Sequence, residues 1–125
     1  RQAWERGVVL AGISAGALCW FETGVTDSLS PELVPWRDGL GLLPGSFCPH
    51  YDAEPDRRPA YHRFAREHRL PAGYAADDLV ALHFEGAELA EVVTSRAGAA
   101  AYHVEADGDA VSETRIEPRV LRPGP

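Results

Sequence analysis

The sequence predicts an α/β domain: the C-terminal part of a doubly wound, mostly parallel sheet sandwiched by helices, finishing in antiparallel strands. Three observations predict it. Val8–Ile13 is a continuous apolar run, as expected of a strand buried on both faces of a parallel sheet. Helical and extended patterns then alternate through the first half of the chain. Finally, Leu89–Ser95, Ala100–Glu105 and Ala110–Ile116 alternate apolar with polar residues, separated by turns at Gly98 and at Asp107-Gly108.

Each element has a local reason. The opening "RQAWERG" reads as the last turn of a helix with Gly7 as its C-cap. Ala15–Phe21 is helical in character. Thr23–Gly45 is rich in Gly, Pro, Ser and Asp, so it reads as mostly loop with short strands, "GLGLL" among them. Ser46–Tyr51 reads as a short strand or its exit. Pro55–Arg69 is a helix, with Asp56 as a cap, Pro59 near its start, and Tyr61, Phe64, Ala65 and His68 on one face. Gly73–Phe84 reads as strand, turn at Asp77-Asp78, and strand. Residues 118–125 are expected to fray.

The 125 residues suit a single domain spanning 1–125. They start at Arg1, contain no methionine, and open in what reads as the end of a helix. The expectation is the C-terminal part of a longer chain; a processed product is the alternative. A formal net charge of -7 disfavours nucleic acid and anionic membrane as partners, because both attract basic surfaces. No apolar stretch approaches membrane-span length, and the opening does not read as a signal peptide. Two cysteines, Cys19 and Cys48, are too few for a disulfide scaffold and suggest reduced thiols in the cytoplasm. No His/Cys/Asp cluster has metal-ligand spacing, so neither metal nor cofactor is expected.

The chemistry starts at Gly12-Ile13-Ser14-Ala15-Gly16, a Gly-x-Ser-x-Gly sequence between an apolar run and a helical one. In that setting it reads as a nucleophile elbow: the turn is sharp, the serine backbone is strained, and the hydroxyl projects from the carboxyl end of the sheet. The plain alternative is a tight strand–helix turn. The N–H of Ala15 is the natural first donor to an oxyanion. A serine also needs a base and an acid. His62 and His68 fall on the helix, and His83 and His103 fall in strands. His50, in "CPHYD", stands at the end of a short apolar strand, where α/β catalysts collect. Asp77 and Asp78 both stand out as acids between two apolar runs, with Asp27 in "VTDS" and Glu85 in "FEG" behind them.

"GISAGALCWFETGVTDS", "GLGLLPGSFCPHYD" and "LPAGYAADDLVALHF" together resemble the peptidase E (aspartyl dipeptidase) family of serine peptidases, relatives of cyanophycinase. The resemblance runs from about Val8 to Tyr102. It implies a fold similar to the class I glutamine amidotransferases, whose elbow nucleophile is a cysteine; Ser14 argues against amide transfer. It implies Ser14 as nucleophile, His50 as its base and Asp77 as the third member, with Asp27 and Asp78 as alternative acids. The chain order Ser, His, acid differs from the Ser, acid, His order of ordinary α/β-hydrolases.

A small peptide is the implied substrate, with Asp-X dipeptides as a class. Arg57 and Arg58 are then candidates for its side-chain carboxylate, the alternative being a solvated pair at the helix start opposite Asp56 and Glu54. A homodimer is the assembly carried with this reading. The family's second oxyanion donor comes from a glycine-rich loop in the N-terminal half of its domain, and no such stretch precedes Ser14. The longer parent is therefore the expected active species. An esterase-like hydrolase and a non-catalytic binding remnant are the alternatives.

Overall fold

The computed structural model describes residues 1–124. Its centre is a six-stranded mixed sheet in the order β2-β1-β3-β4-β7-β8. The three middle strands, β1 (Phe21–Thr26), β3 (Leu43–Cys48) and β4 (Gly73–Ala76), run parallel to one another. β2 (Val34–Trp36) adds an antiparallel edge to β1. β7 (Ala101–Asp107) and β8 (Ala110–Ile116) continue beyond β4 as an antiparallel hairpin. A second sheet holds β5 (Val80–Glu85), β6 (Glu88–Thr94) and β9 (Arg119–Val120) in the order β5-β6-β9.

Side chains of successive strand residues point to opposite faces, and both faces of the central sheet are covered. On one, Val25, Cys48, Ala75 and Val104 pack with Tyr61, Phe64 and Ala65 of helix α3 (Arg57–Arg66). On the other, Phe21, Phe47 and Ala76 pack with Leu18 of the short helix α2 (Ala15–Leu18), and Val80, Leu82 and Phe84 of β5 lean on them. α3 is anchored by burial of one face. Pro59 sits in its first turn, where no intrahelical N–H is required.

Several expectations hold in outline. α1 (Gln2–Glu5) is the single turn read from "RQAWERG", and Gly7 follows it at φ 85. The strand–turn–strand at 73–84 and the late hairpin form as expected.

Others change. Val8–Ile13 is not a buried strand. It runs as exposed chain, with Val9 89% and Ile13 84% accessible, because no strand among the described residues lies beside it to complete a ladder. The helix after Ser14 is four residues long, and Phe21 already belongs to β1. "GLGLL" is loop as far as Leu42. His68 leaves the buried face of α3, taking φ 55 just beyond the helix. Arg119–Val120 pair with Val93–Thr94 where a frayed tail was expected; the last residue of that tail, Pro125, lies outside the described residues.

Candidate active site

The site lies where the carboxyl ends of β3 and β4 meet the turn before α2. Ser14 sits in that turn at φ 55 and ψ -121, a backbone conformation costly for any residue with a side chain. Gly12 makes the turn possible. A Cβ there would stand 2.1 Å from the carbonyl oxygen of Gly16. Gly16, by contrast, has open space around its own missing side chain. The N–H of Ala15 opens α2 and has no acceptor among the described residues.

His50 follows β3 through Pro49 and also takes a positive φ, 56°. That twist turns its ring toward Ser14. The serine Oγ lies 2.7 Å from His50 Nε2, and His50 Nδ1 lies 2.7 Å from Asp78 Oδ1. With Ser14 donating to Nε2, the ring proton sits on Nδ1 and donates to the Asp78 carboxylate. Leu79, just after Asp78, is at φ 67. Among the described residues, three of the four non-glycine residues with positive φ therefore belong to this site or touch its border.

Asp77, the acid expected beside His50, is turned away from it. Its Oδ2 accepts from the Ala100 N–H at 2.9 Å, its backbone N–H donates to Ala100 O, and it is only 7% exposed. Its Oδ1 has no partner among the described residues. Burial pushes this carboxyl above its ordinary pKa, against the pull of the Ala100 N–H. Adjacent residues leaving a strand cannot both face one histidine, and Asp78 is the one that does.

Asp27 lies 3.5 Å from Arg57 and does not bond His50. Glu85 ends β5 on an exposed hairpin edge.

The two arginines offered as candidates for a substrate carboxylate are engaged elsewhere. Arg57 is 4% exposed, donating to Glu54 at 3.0 Å and to the Val25 carbonyl at 2.9 Å. Arg58 stacks over the rings of Tyr51 and Tyr102 and pairs with Glu113 at 3.2 Å. Neither lines the cavity of about 1010 Å³ that opens on Ser14 and His50. Its walls are largely apolar, with Ile13, Trp20, Phe47, Leu82, Phe84 and Val93 among them.

Two residues that the sequence did not mark complete the surroundings. Asp52 Oδ1 accepts from the Asp78 N–H at 2.8 Å, and Arg96 bonds both Asp52 and the Asp78 carbonyl. Only the position of Asp52, two residues after His50 in "CPHYD", hinted at it.

A mixed α/β chain with a serine elbow and an aligned histidine and carboxylate has the form of a hydrolase. The comparisons narrow the class: residues 1–92 match Peptidase family S51, and this chain belongs to that family. It is 60% identical over 104 residues to the "Uncharacterized peptidase YgaJ" of Bacillus subtilis (strain 168), an alignment covering 83% of this chain and 44% of that protein. The chain thus spans less than half the length of the curated relative it matches. No solved structure matches it.

Proposed function

We propose that this chain carries the catalytic residues of a serine peptidase acting on small peptides by way of an acyl-enzyme. The observation that carries the reading is the line from Ser14 Oγ through His50 to Asp78, two contacts of 2.7 Å each. His50 takes the Ser14 proton as Oγ attacks the peptide carbonyl, then passes it to the leaving amine. Asp78 holds the Nδ1–H tautomer and stabilises the imidazolium, the role expected of Asp77 from the family resemblance. Water enters against the acyl group, with His50 again as base. The free N–H of Ala15 supplies one oxyanion donor; losing one such donor typically costs about 100- to 1000-fold in rate.

Further parts of the reading are inferred with it. The parallel strands β1, β3 and β4 belong to a doubly wound sheet whose remaining strands flank Val8–Ile13, and the longer protein is the active species. The substrate is a small peptide, with Asp-X dipeptides included in the screen. The protein works in the cytoplasm, without a cofactor and without a nucleic-acid or membrane partner, and a homodimer is its assembly. Among the described residues, no helix is long and apolar enough to cross a membrane.

The test is labelling with a fluorophosphonate serine probe, applied to this chain and to a version extended at its N-terminus. The extended protein is expected to label, and Ser14→Ala to abolish the signal. Absence of Ser14-dependent labelling in both folded proteins would overturn the reading and leave the elbow as a turn. A strong preference for activated esters over peptides would redirect it to an esterase.

A further inference from the structure

Beside the Ser14–His50–Asp78 line lies a second set of contacts that bonds neither Ser14 nor the His50 ring. Asp52 stands two residues beyond His50, on the chain that leaves β3. Asp78 stands two residues beyond the end of β4. The two loops are joined by Asp52 Oδ1, which accepts from the backbone N–H of Asp78 at 2.8 Å. From a third segment, after β6, Arg96 donates through Nη2 to Asp52 Oδ2 and to the backbone carbonyl of Asp78 at 3.3 Å. The same segment grips the next residue. Thr94, which is 1% exposed, donates through Oγ1 to the Leu79 carbonyl at 2.8 Å and accepts from the Arg96 N–H at 3.0 Å. The Ser95 N–H reaches that carbonyl as well, at 3.3 Å. Leu79 is held at φ 67 between these contacts.

We propose that Asp52 and Arg96 form a clamp that positions Asp78 against His50, making both of them positioning residues for the acid of the site. The proposal rests on the reading of Ser14, His50 and Asp78 given above. Its geometry concerns the His50–Asp78 pair alone.

Three observations favour positioning over plain stability. The Arg96 side chain is 46% exposed, and an ion pair that exposed adds little to folding. Its donors go to the main chain of the acid and to the one carboxylate that holds that main chain, with none reaching the Asp78 carboxylate. The Asp78 side chain is itself 45% exposed and, among the described residues, has His50 as its only side-chain partner, so nothing else there fixes its direction. Burial alone would raise the Asp52 carboxyl. The Asp78 N–H and the Arg96 guanidinium outweigh that and favour the ionised form, which accepts at both oxygens.

A displacement of about 1 Å at a reacting group can cost about 100-fold in rate. The clamp is therefore tested by a double-mutant cycle on the rate of fluorophosphonate labelling in the intact protein. Arg96→Ala is expected to slow Ser14-dependent labelling about 10- to 100-fold, with an almost unchanged melting temperature. Arg96→Lys, which keeps a positive donor on a flexible stem, is expected to recover part of the rate. In an Asp78→Asn background, Arg96→Ala costs little more, because its effect passes through Asp78. Asp52→Ala, a second way to open the clamp, follows the same pattern.

The downfield proton NMR signal of His50 Nδ1–H provides a readout independent of labelling. It is expected to broaden or vanish in Arg96→Ala and to persist in Arg96→Lys. An unchanged signal in Arg96→Ala overturns the clamp. So does an equal loss of rate in the wild-type and Asp78→Asn backgrounds. Labelling that survives Ser14→Ala strikes the nucleophile reading instead, and the NMR signal still decides the clamp.

Discussion

Asp77 and Asp78 are adjacent acids with opposite surroundings, and substitution separates them. Asp78→Asn keeps the shape but puts a neutral amide beside His50 Nδ1, one that can donate to it and favour the wrong tautomer. On the function proposed above, the expected loss in labelling is about 10⁴-fold, the size of effect seen when a triad histidine is given the wrong tautomer. Asp77→Asn leaves the Ser14–His50 contact alone and acts on stability. The buried Asp77 carboxyl has a folded pKa above its unfolded value. As pH rises from about 4, the unfolded chain loses this proton first. The folded state then binds more protons, so stability falls with rising pH until the folded pKa is passed. Asp77→Asn removes that penalty. It should gain in melting temperature relative to wild type between pH 4 and pH 7, and a constant difference across that range would refute the assignment. Which of the two acids meets His50 is not legible in the sequence, since both precede the same apolar run. The choice is made by the turn at Leu79, whose positive φ no residue type announces.

At the scale of elements, Glu113 on β8 pins helix α3 to the sheet. Its Oε1 accepts from Tyr51 Oη at 2.5 Å, from His62 Nε2 at 2.9 Å and from Arg58 Nε at 3.2 Å. Burial would raise this carboxyl, but those donors outweigh it and hold the pKa below its ordinary value. A depressed folded pKa stabilises above the unfolded value of about 4.3 and is lost as pH falls through the folded one. Glu113→Ala should therefore cost about 2 kcal/mol at pH 7 by chemical denaturation, with the difference shrinking in acid. No loss at pH 7 would show that the pin is idle.

The late strands are legible because their alternation is regular and glycines mark their turns, and α3 because apolar residues share one of its faces. β1 is not. "FETGVT" carries a glycine in mid-strand and sits in a stretch dense with turn residues, so it reads as loop. The glycine is there for close approach: a Cβ on Gly24 would stand 2.6 Å from the Phe47 carbonyl and 2.7 Å from Leu18. Ser14 and His50 are legible for the opposite reason. Their motifs are local, and each stands where a strand is expected to end.

Across the whole molecule, the unusual feature is the apolar chain before the elbow. Val8, Val9 and Ile13 are exposed, and Val8–Ile13 helps wall the cavity beside Ser14. An apolar surface of that kind in water invites a partner. In a version extended at the N-terminus, the amides of Val8–Ile13 are expected to exchange with deuterium far more slowly than in this chain, as they join a ladder. Labelling at Ser14 should rise in parallel. Equal exchange and equal labelling in the two proteins would remove the case for flanking strands.

The backbone segments that carry His50 and Asp78, by contrast, leave neighbouring parallel strands and are tied together by Tyr51, whose N–H donates to the Ala76 carbonyl at 3.0 Å. Among the described residues, the elbow's hydrogen bond to that pair is the one from the Ser14 hydroxyl to the ring. Deleting that single oxygen in Ser14→Ala is expected to leave His50, Asp78 and the cavity standing, a vessel able to hold a guest without attacking it. On the function proposed above, the N-terminally extended protein carrying Ser14→Ala, immobilised, becomes bait: what it retains from a peptide mixture points to the substrate class more directly than any panel of chosen dipeptides.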